Sequence, residues 1–261
     1  MLDPERSTRV FYVLVTVLLL LSVPYSEAGT PADRNCQAGM DCHSQLGQPN
    51  PPIWPNTFSV EFVEQLNSTS PPYSTQNTGR WFYDWSGRQS RFDHDRGHRN
   101  DFCVLSGLAG ASHSSCRLYF SSDEQMWVAL PERKLCCSLC KPNPHGFPGT
   151  CSTLLPNWLQ NSTYKGTVRV GANQCNWFSK PGAVAIDNWY ATPDGKPCEY
   201  REHYVHPGSN IDNITDHHIM YDRASYNTSQ IPSSIFKLPE YCSANCIFPA
   251  PLLAQHFPVL L

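Results

Sequence analysis

The stretch Trp81-Phe82-Tyr83-Asp84-Trp85-Ser86-Gly87-Arg88-Gln89-Ser90-Arg91-Phe92-Asp93 decides the fold class. Trp81, Tyr83 and Trp85 recur at every second position, and a period of two is the mark of a half-buried strand. Ser86-Gly87 then breaks the run before a second extended stretch, which is how an antiparallel hairpin is written. The same period appears on either side, in Phe58, Val60 and Phe62, in Cys116, Leu118 and Phe120, and in Val168 and Val170. Further turn signals sit between extended stretches at Ser121-Ser122-Asp123-Glu124 and Pro193-Asp194-Gly195. No long segment carries a 3.6-residue apolar stripe with caps at both ends. A parallel sheet would read as continuous apolar runs joined by helices. The expected fold is therefore all-β and antiparallel. The 23 prolines and 15 glycines are scattered, so neither an interdomain linker nor a repeat is expected, and residues 58–261 read as one β domain.

Ahead of that domain, Arg6 and Arg9 precede an apolar run from Val10 to Val23, and Ser26-Glu27-Ala28 offers small residues where a signal peptidase reads them. The run is about 14 residues, short of the roughly 20 that a spanning helix needs. Residues 1–28 are thus expected to be a signal peptide cleaved after Ala28, and no membrane span is expected elsewhere. Residues 29–57, rich in Pro, Gly and Gln around Cys36 and Cys42, read as an irregular arm clipped to the body by a disulfide. With the leader go Asp3, Glu5, Glu27, Arg6 and Arg9, leaving 17 basic and 19 acidic side chains. Such a balance gives no reason to expect a nucleic-acid partner.

All 12 cysteines follow the expected cut, and an even number in an exported chain reads as paired. Cys136, Cys137, Cys140 and Cys151 have a spacing that four zinc-bound thiolates would also use. Export favours disulfides, and Cys136 and Cys137, being adjacent on an extended chain, must reach different partners. Proximity suggests Cys140 with Cys151. Sequons at Asn67, Asn161, Asn213 and Asn227 mark expected glycosylated surface loops.

Histidines at 94 and 98, 203 and 206, and 217 and 218 raise imidazole metal sites, but four-apart spacing aligns ligands only on a helix. Asp187, Asp194, Asp212 and Asp216 offer oxygen ligands for calcium without forming an EF-hand loop. There is no G-x-S-x-G elbow, H-E-x-x-H, P-loop or G-x-G-x-x-G. Trp81, Tyr83, Trp85, Phe92, Phe120, Trp127, Trp177, Trp189 and Tyr190 fall in or beside expected strands, where they read either as plain core or as the wall of an apolar cavity.

The order of motifs resembles the ependymin-related proteins, a family of secreted glycoproteins. Tyr83 to Asp93 looks like that family's first hairpin; Cys116-Arg117-Leu118-Tyr119-Phe120 like its cysteine before an aromatic strand. Met126-Trp127 leads to the Cys136-Cys137 position, Asn161-Ser162-Thr163-Tyr164 matches a glycosylated asparagine, and Trp177 matches a tryptophan. Trp189-Tyr190 through Pro197-Cys198, then Ile231 to Cys242 and Cys246, resemble the closing segments. The similarity spans Trp81 to Cys246, with extra cysteines at Cys140, Cys151 and Cys175 and a longer loop between Cys136 and Cys151.

That resemblance implies two antiparallel sheets stacked as a half-barrel or sandwich around a hydrophobic pocket, a homodimer, and calcium binding. It also implies disulfides from Cys36 or Cys42 to Cys198, from Cys242 to Cys136 or Cys137, and from Cys246 to Cys103 or Cys116. The expected function is non-enzymatic: binding or transport of a lipid or fatty acid, outside the cell or in a lysosome-like compartment. Trp81, Tyr83, Phe120, Trp127 and Trp177 are the expected pocket wall. A calcium-linked adhesion or matrix protein and a secreted hydrolase with a dispersed site are the alternatives.

Overall fold

The computed structural model describes residues 47–69, 72–95, 101–104, 106, 108, 110–140, 152–182, 185–205, 214–242 and 244–245. The expected leader, Cys36, Cys42, Asn213, Cys151 and Cys246 lie outside the described residues, as does the side chain of Cys140. Residues from Gln48 to Leu261 form one compact unit. The expected arm boundary at 57/58 falls inside it.

The described residues form twelve strands in chain order: β1 (Thr57–Thr69), β2 (Pro72–Asp84), β3 (Gln89–His94), β4 (Cys116–Phe120), β5 (Met126–Leu130), β6 (Leu135–Cys140), β7 (Thr163–Val170), β8 (Asn173–Pro181), β9 (Ile186–Ala191), β10 (Pro197–Val205), β11 (Ile214–Asn227) and β12 (Ala244–Asn245). One turn of helix, α1 (Asp101–Val104), precedes β4. The strands hydrogen-bond in the order β12-β6-β5-β4-β3-β2-β1-β11-β10-β9-β8-β7. β1 to β11 pair antiparallel throughout, and only the two-residue β12 runs parallel to its neighbour. The fold is all-β, as the period of two requires. Its layers are arms of one continuous ladder that does not close into a barrel.

Each expected hairpin turn is present. Asp84 Oδ1 accepts the Gly87 amide at 3.1 Å, and Arg88 takes the left-handed backbone, φ 50°, that ends the β2–β3 turn. Glu124 does the same in the β4–β5 turn at φ 60°, and Gly195 in the β9–β10 turn at φ 84°. Along β1 the alternation is sharp: Phe58, Val60, Phe62, Glu64, Leu66 and Ser68 are buried, and their neighbours are less so. Opposite Phe62 sits Gly79, where a Cβ would meet the Phe62 ring at 2.5 Å, so the close approach demands glycine.

The curvature follows from two ring contacts. Trp81 on β2 and Trp189 on β9 lie four strand steps apart, about 19 Å on a flat sheet. Yet the Trp54 ring is 5.1 Å from each, so the two tryptophans are at most about 10 Å apart. The sheet therefore folds over its inner face. Trp54 is the bridge: 5% exposed, it is tied by its backbone N–H to the Pro156 carbonyl at 2.9 Å.

The inner face carries two core clusters. One, at the β1, β2, β8, β9 and β11 side, gathers Trp54, Phe58, Val60, Phe62, Trp81, Tyr83, Leu159, Phe178, Trp189 and Tyr221. The other, on β4 to β6, gathers Cys103, Cys116, Leu118, Met126, Val128, Leu130 and Cys137. On the outer face, the segment through Leu238, Tyr241 and Cys242 covers Tyr119, Ala129 and Cys136. Arg91 latches it, donating to the Ile235 carbonyl and paired with Asp93 while its guanidinium lies 5.3 Å from the Phe82 ring and 5.4 Å from the Tyr119 ring.

The disulfides correct two expected pairings. Cys103 on α1 joins Cys116 at the start of β4, with Cα atoms 5.6 Å apart, so neither is available to Cys246. Cys198 joins Cys175 rather than Cys36 or Cys42. Next-nearest strands are normally about 10 Å apart. Here β9 ends at Ala191 and β10 is irregular between Pro197 and Glu199, which leaves the two Cα atoms 6.6 Å apart, within disulfide reach. Cys242 takes Cys136 of its two expected partners. Cys137 is disulfide-bonded too, and it points to the inner cluster while Cys136 points outward, the divergence that adjacent strand positions impose.

Candidate functional site

Strand parity sorts the expected wall residues onto two faces. Trp81, Tyr83 and Phe120 share the inner face with Phe92. Trp127 lies on the outer face, paired across the ladder with Tyr119. Trp177 is outward as well, stacked on Tyr190 at 5.7 Å beside the Cys175–Cys198 bond, its indole N–H donating to Asn188 Oδ1 at 2.9 Å. These two residues cannot line a cavity on the inner face. The strand of Trp127 is apolar in both phases because its outer face is covered too, and Trp177 stands beside the equally aromatic Phe178, so alternation alone did not tell in from out.

Of the inner-face three, Trp81 and Tyr83 are 2% and 0% exposed, packed under Trp54. Burial drives the Tyr83 phenol well above its ordinary pKa, and its hydroxyl donates to the Leu154 carbonyl at 2.9 Å. The 152–160 segment thus runs as a strap over this part of the face. It buries Leu159, and its far end is held where Lys180 Nζ donates to the Trp158 carbonyl at 2.6 Å. Phe92 and Phe120 differ. They are only half-buried and sit where the two inner clusters meet, Phe92 stacked on Trp81 at 4.9 Å and 6.1 Å from Phe120. Here the inner face offers a partly exposed apolar floor.

Toward the opposite strand ends the same face turns ionic. Glu64 Oε1 lies 2.8 Å from His217 Nε2, and its Oε2 lies 3.2 Å from His94 Nδ1. His217 Nδ1 is 3.1 Å from Glu202. Burial would raise the Glu64 pKa, but the two imidazoles outweigh it and hold the carboxyl at about 2. Burial would likewise discharge His217, and the flanking carboxylates of Glu202 and Glu64 instead carry it up to about 10. Asp187, accepting from the Tyr200 hydroxyl at 3.0 Å, is pushed to about 6 by burial and by the Glu202 charge. The chain His94-Glu64-His217-Glu202 is a buried network that ties β1, β3, β10 and β11 together. Sequence reasoning missed it, although Glu64 and His94 occupy the apolar phases of their strands, and a charge in that phase is the available signal.

Among the described residues, no group of three or more His, Cys, Asp or Glu is arranged to hold a metal ion. His217 turns inward and His218 outward, 3.3 Å from Glu199, so this adjacent pair cannot share a ligand. His203 pairs with Asp216 on an exposed surface. The described sequon asparagines, Asn67, Asn161 and Asn227, are all exposed. No described helix is long and apolar enough to cross a membrane.

No protein-family profile matches the chain, and no curated protein matches it. Among solved structures, it is similar to an uncharacterized conserved protein from Thermus thermophilus, with TM-score 0.40 and 8% identity over 71% of this chain and 91% of that one. It is also similar to a DUF1329 family protein from Desulfovibrio piger, with TM-score 0.32 and 12% identity over 70% and 90% of the two chains. Both scores lie below 0.5, too loose a match to transfer a function.

Proposed function

We propose that this chain is a secreted, ependymin-like glycoprotein that binds or carries an apolar ligand, a lipid or fatty acyl chain, on the inner face of its curved sheet, without catalysing a reaction on it. The observation that carries this reading is the partly exposed apolar floor that Phe92 and Phe120 form where the two clusters of the inner face meet. Each methylene laid on such a floor gains about 0.8 kcal/mol, so an acyl chain is held with few polar contacts. Export is supported by the disulfides, which persist in oxidising compartments. The ependymin resemblance supports two further expectations, a homodimer and calcium binding. Delipidated protein should bind a fluorescent fatty-acid probe saturably, and unlabelled lipid should displace it. Folded protein that binds no apolar probe saturably would sink the proposal.

A further inference from the structure

Three buried donors on the inner face are left without acceptors. The indole Nε1 atoms of Trp81, Trp158 and Trp189 are sealed from solvent and have no hydrogen-bond partner among the described residues. They belong to one group of rings. Trp54 lies 5.1 Å from Trp81, 5.1 Å from Trp189 and 5.5 Å from Trp158, and Trp158 lies 5.7 Å from Trp189. Indole is a donor only, and buried indoles ordinarily find an acceptor. An orphaned buried donor forfeits its full desolvation cost, so three in one cluster call for a group that supplies oxygen. The cluster is also continuous with the partly exposed floor, because Trp81 stacks directly on Phe92.

Resting on the carrier reading above, we infer that the ligand is an acyl compound whose neutral carbonyl oxygen, of an ester or an amide, is received by these indole donors. Its hydrocarbon tail runs along Phe92 and Phe120. A pure hydrocarbon leaves the donors unmet. An ionised fatty acid also satisfies them and would meet the Lys180 ammonium, 5.7 Å from the Trp158 ring, but it brings its charge toward Glu64, Glu202 and Asp187 as well; Asp187 accepts from Tyr200, whose ring is 6.4 Å from both Trp158 and Trp189. Trp158 lies on the strap, so the segment that shifts to admit the carbonyl brings one of its donors. Its holds are the Leu154, Pro156 and Trp158 carbonyls, accepting from Tyr83, Trp54 and Lys180.

The test compares methyl laurate, sodium laurate and tridecane on delipidated, 15N-labelled protein. Seven tryptophans give seven indole N–H signals, assigned by single Trp→Phe variants. Methyl laurate should bind at least about tenfold more tightly than tridecane, the weight of one net hydrogen bond or more. It should also move two of the Trp81, Trp158 and Trp189 signals downfield, the number that the two lone pairs of one carbonyl oxygen accept, with laurate weaker than the ester. Should a Trp81→Phe or Trp189→Phe variant fail to fold, the number of indole signals moved by ester but not by tridecane in the unaltered protein still decides. Equal binding of ester and tridecane with unmoved indoles overturns the inference, as do indoles that exchange with an internal water and ignore the ester. Tighter binding of laurate than of the ester overturns the neutral carbonyl. If none of the three binds, the carrier reading falls and takes this inference with it.

Discussion

The outer face and the aromatic half of the inner face are covered in different ways. Over the outer face, the C-terminal segment is fixed by the Cys136–Cys242 bond and the Arg91 latch, and β8 is tied to β10 by Cys175–Cys198. The aromatic half of the inner face is covered by Trp54 and the 152–160 strap, held by carbonyl hydrogen bonds and ring contacts, while the Cys103–Cys116, Cys136–Cys242 and Cys175–Cys198 bonds belong to other clusters. The inner face has covalent bonds as well, Cys103–Cys116 and the bond of Cys137, but both lie in the β4–β6 cluster and not under Trp54. Contacts of about 1 kcal/mol each, which can open and reclose, lie over the face where a ligand is proposed to enter.

The hardest blow to this contrast is to cut the outer clamp. Replacing Cys136 and Cys242 together by alanine opens a loop of 106 residues and should cost about 4 kcal/mol in urea unfolding. Ligand binding by the protein that remains folded should be unchanged. A loss of affinity equal to the loss of stability would mean that the faces are not independent.

Next in size is the ionic end of the inner face. Glu64→Gln leaves the His217 charge with one carboxylate instead of two and should cost about 3 kcal/mol at neutral pH. The pH dependence follows from the shifts. Glu64, lowered from 4.5 to about 2, stabilises the fold fully above pH 4.5, and that part is lost as pH falls through about 2. His217, raised from 6.5 to about 10, stabilises fully below pH 6.5, and that part is lost as pH rises through about 10. The network therefore contributes most between pH 4.5 and 6.5. Urea midpoints measured across pH should show the variant losing its largest share in that window, with a flattened acid limb. An unchanged profile would remove Glu64 from the network.

The smallest effects sharpen the contrast most. Phe120→Leu and Trp127→Phe both keep an apolar side chain and should each cost about 1 kcal/mol of stability. Only Phe120→Leu, on the inner face, should weaken binding of a fatty-acid probe, by severalfold. Equal weakening by Trp127→Phe would place the ligand elsewhere.

The strands and hairpins were legible because their signals are local. Backbone alternation and turn conformation depend on neighbours within a few residues, so Trp81 to Asp93 announces its hairpin without help from the rest of the chain. The divergence of Cys136 from Cys137 was legible for the same reason. What the tertiary structure alone decided is which face each strand shows, which distant strands meet, and which cysteines come within reach. Met126, Val128 and Leu130 alternate with Trp127 and Ala129, both sets apolar, so only the covering segment at Leu238 and Tyr241 makes Trp127 outward. Glu64 and His217 are 153 residues apart and pair because β1 lies beside β11. Local preference writes strands and turns; curvature and strand order, which no short window contains, bring the aromatic rings and the buried charges onto one inner face.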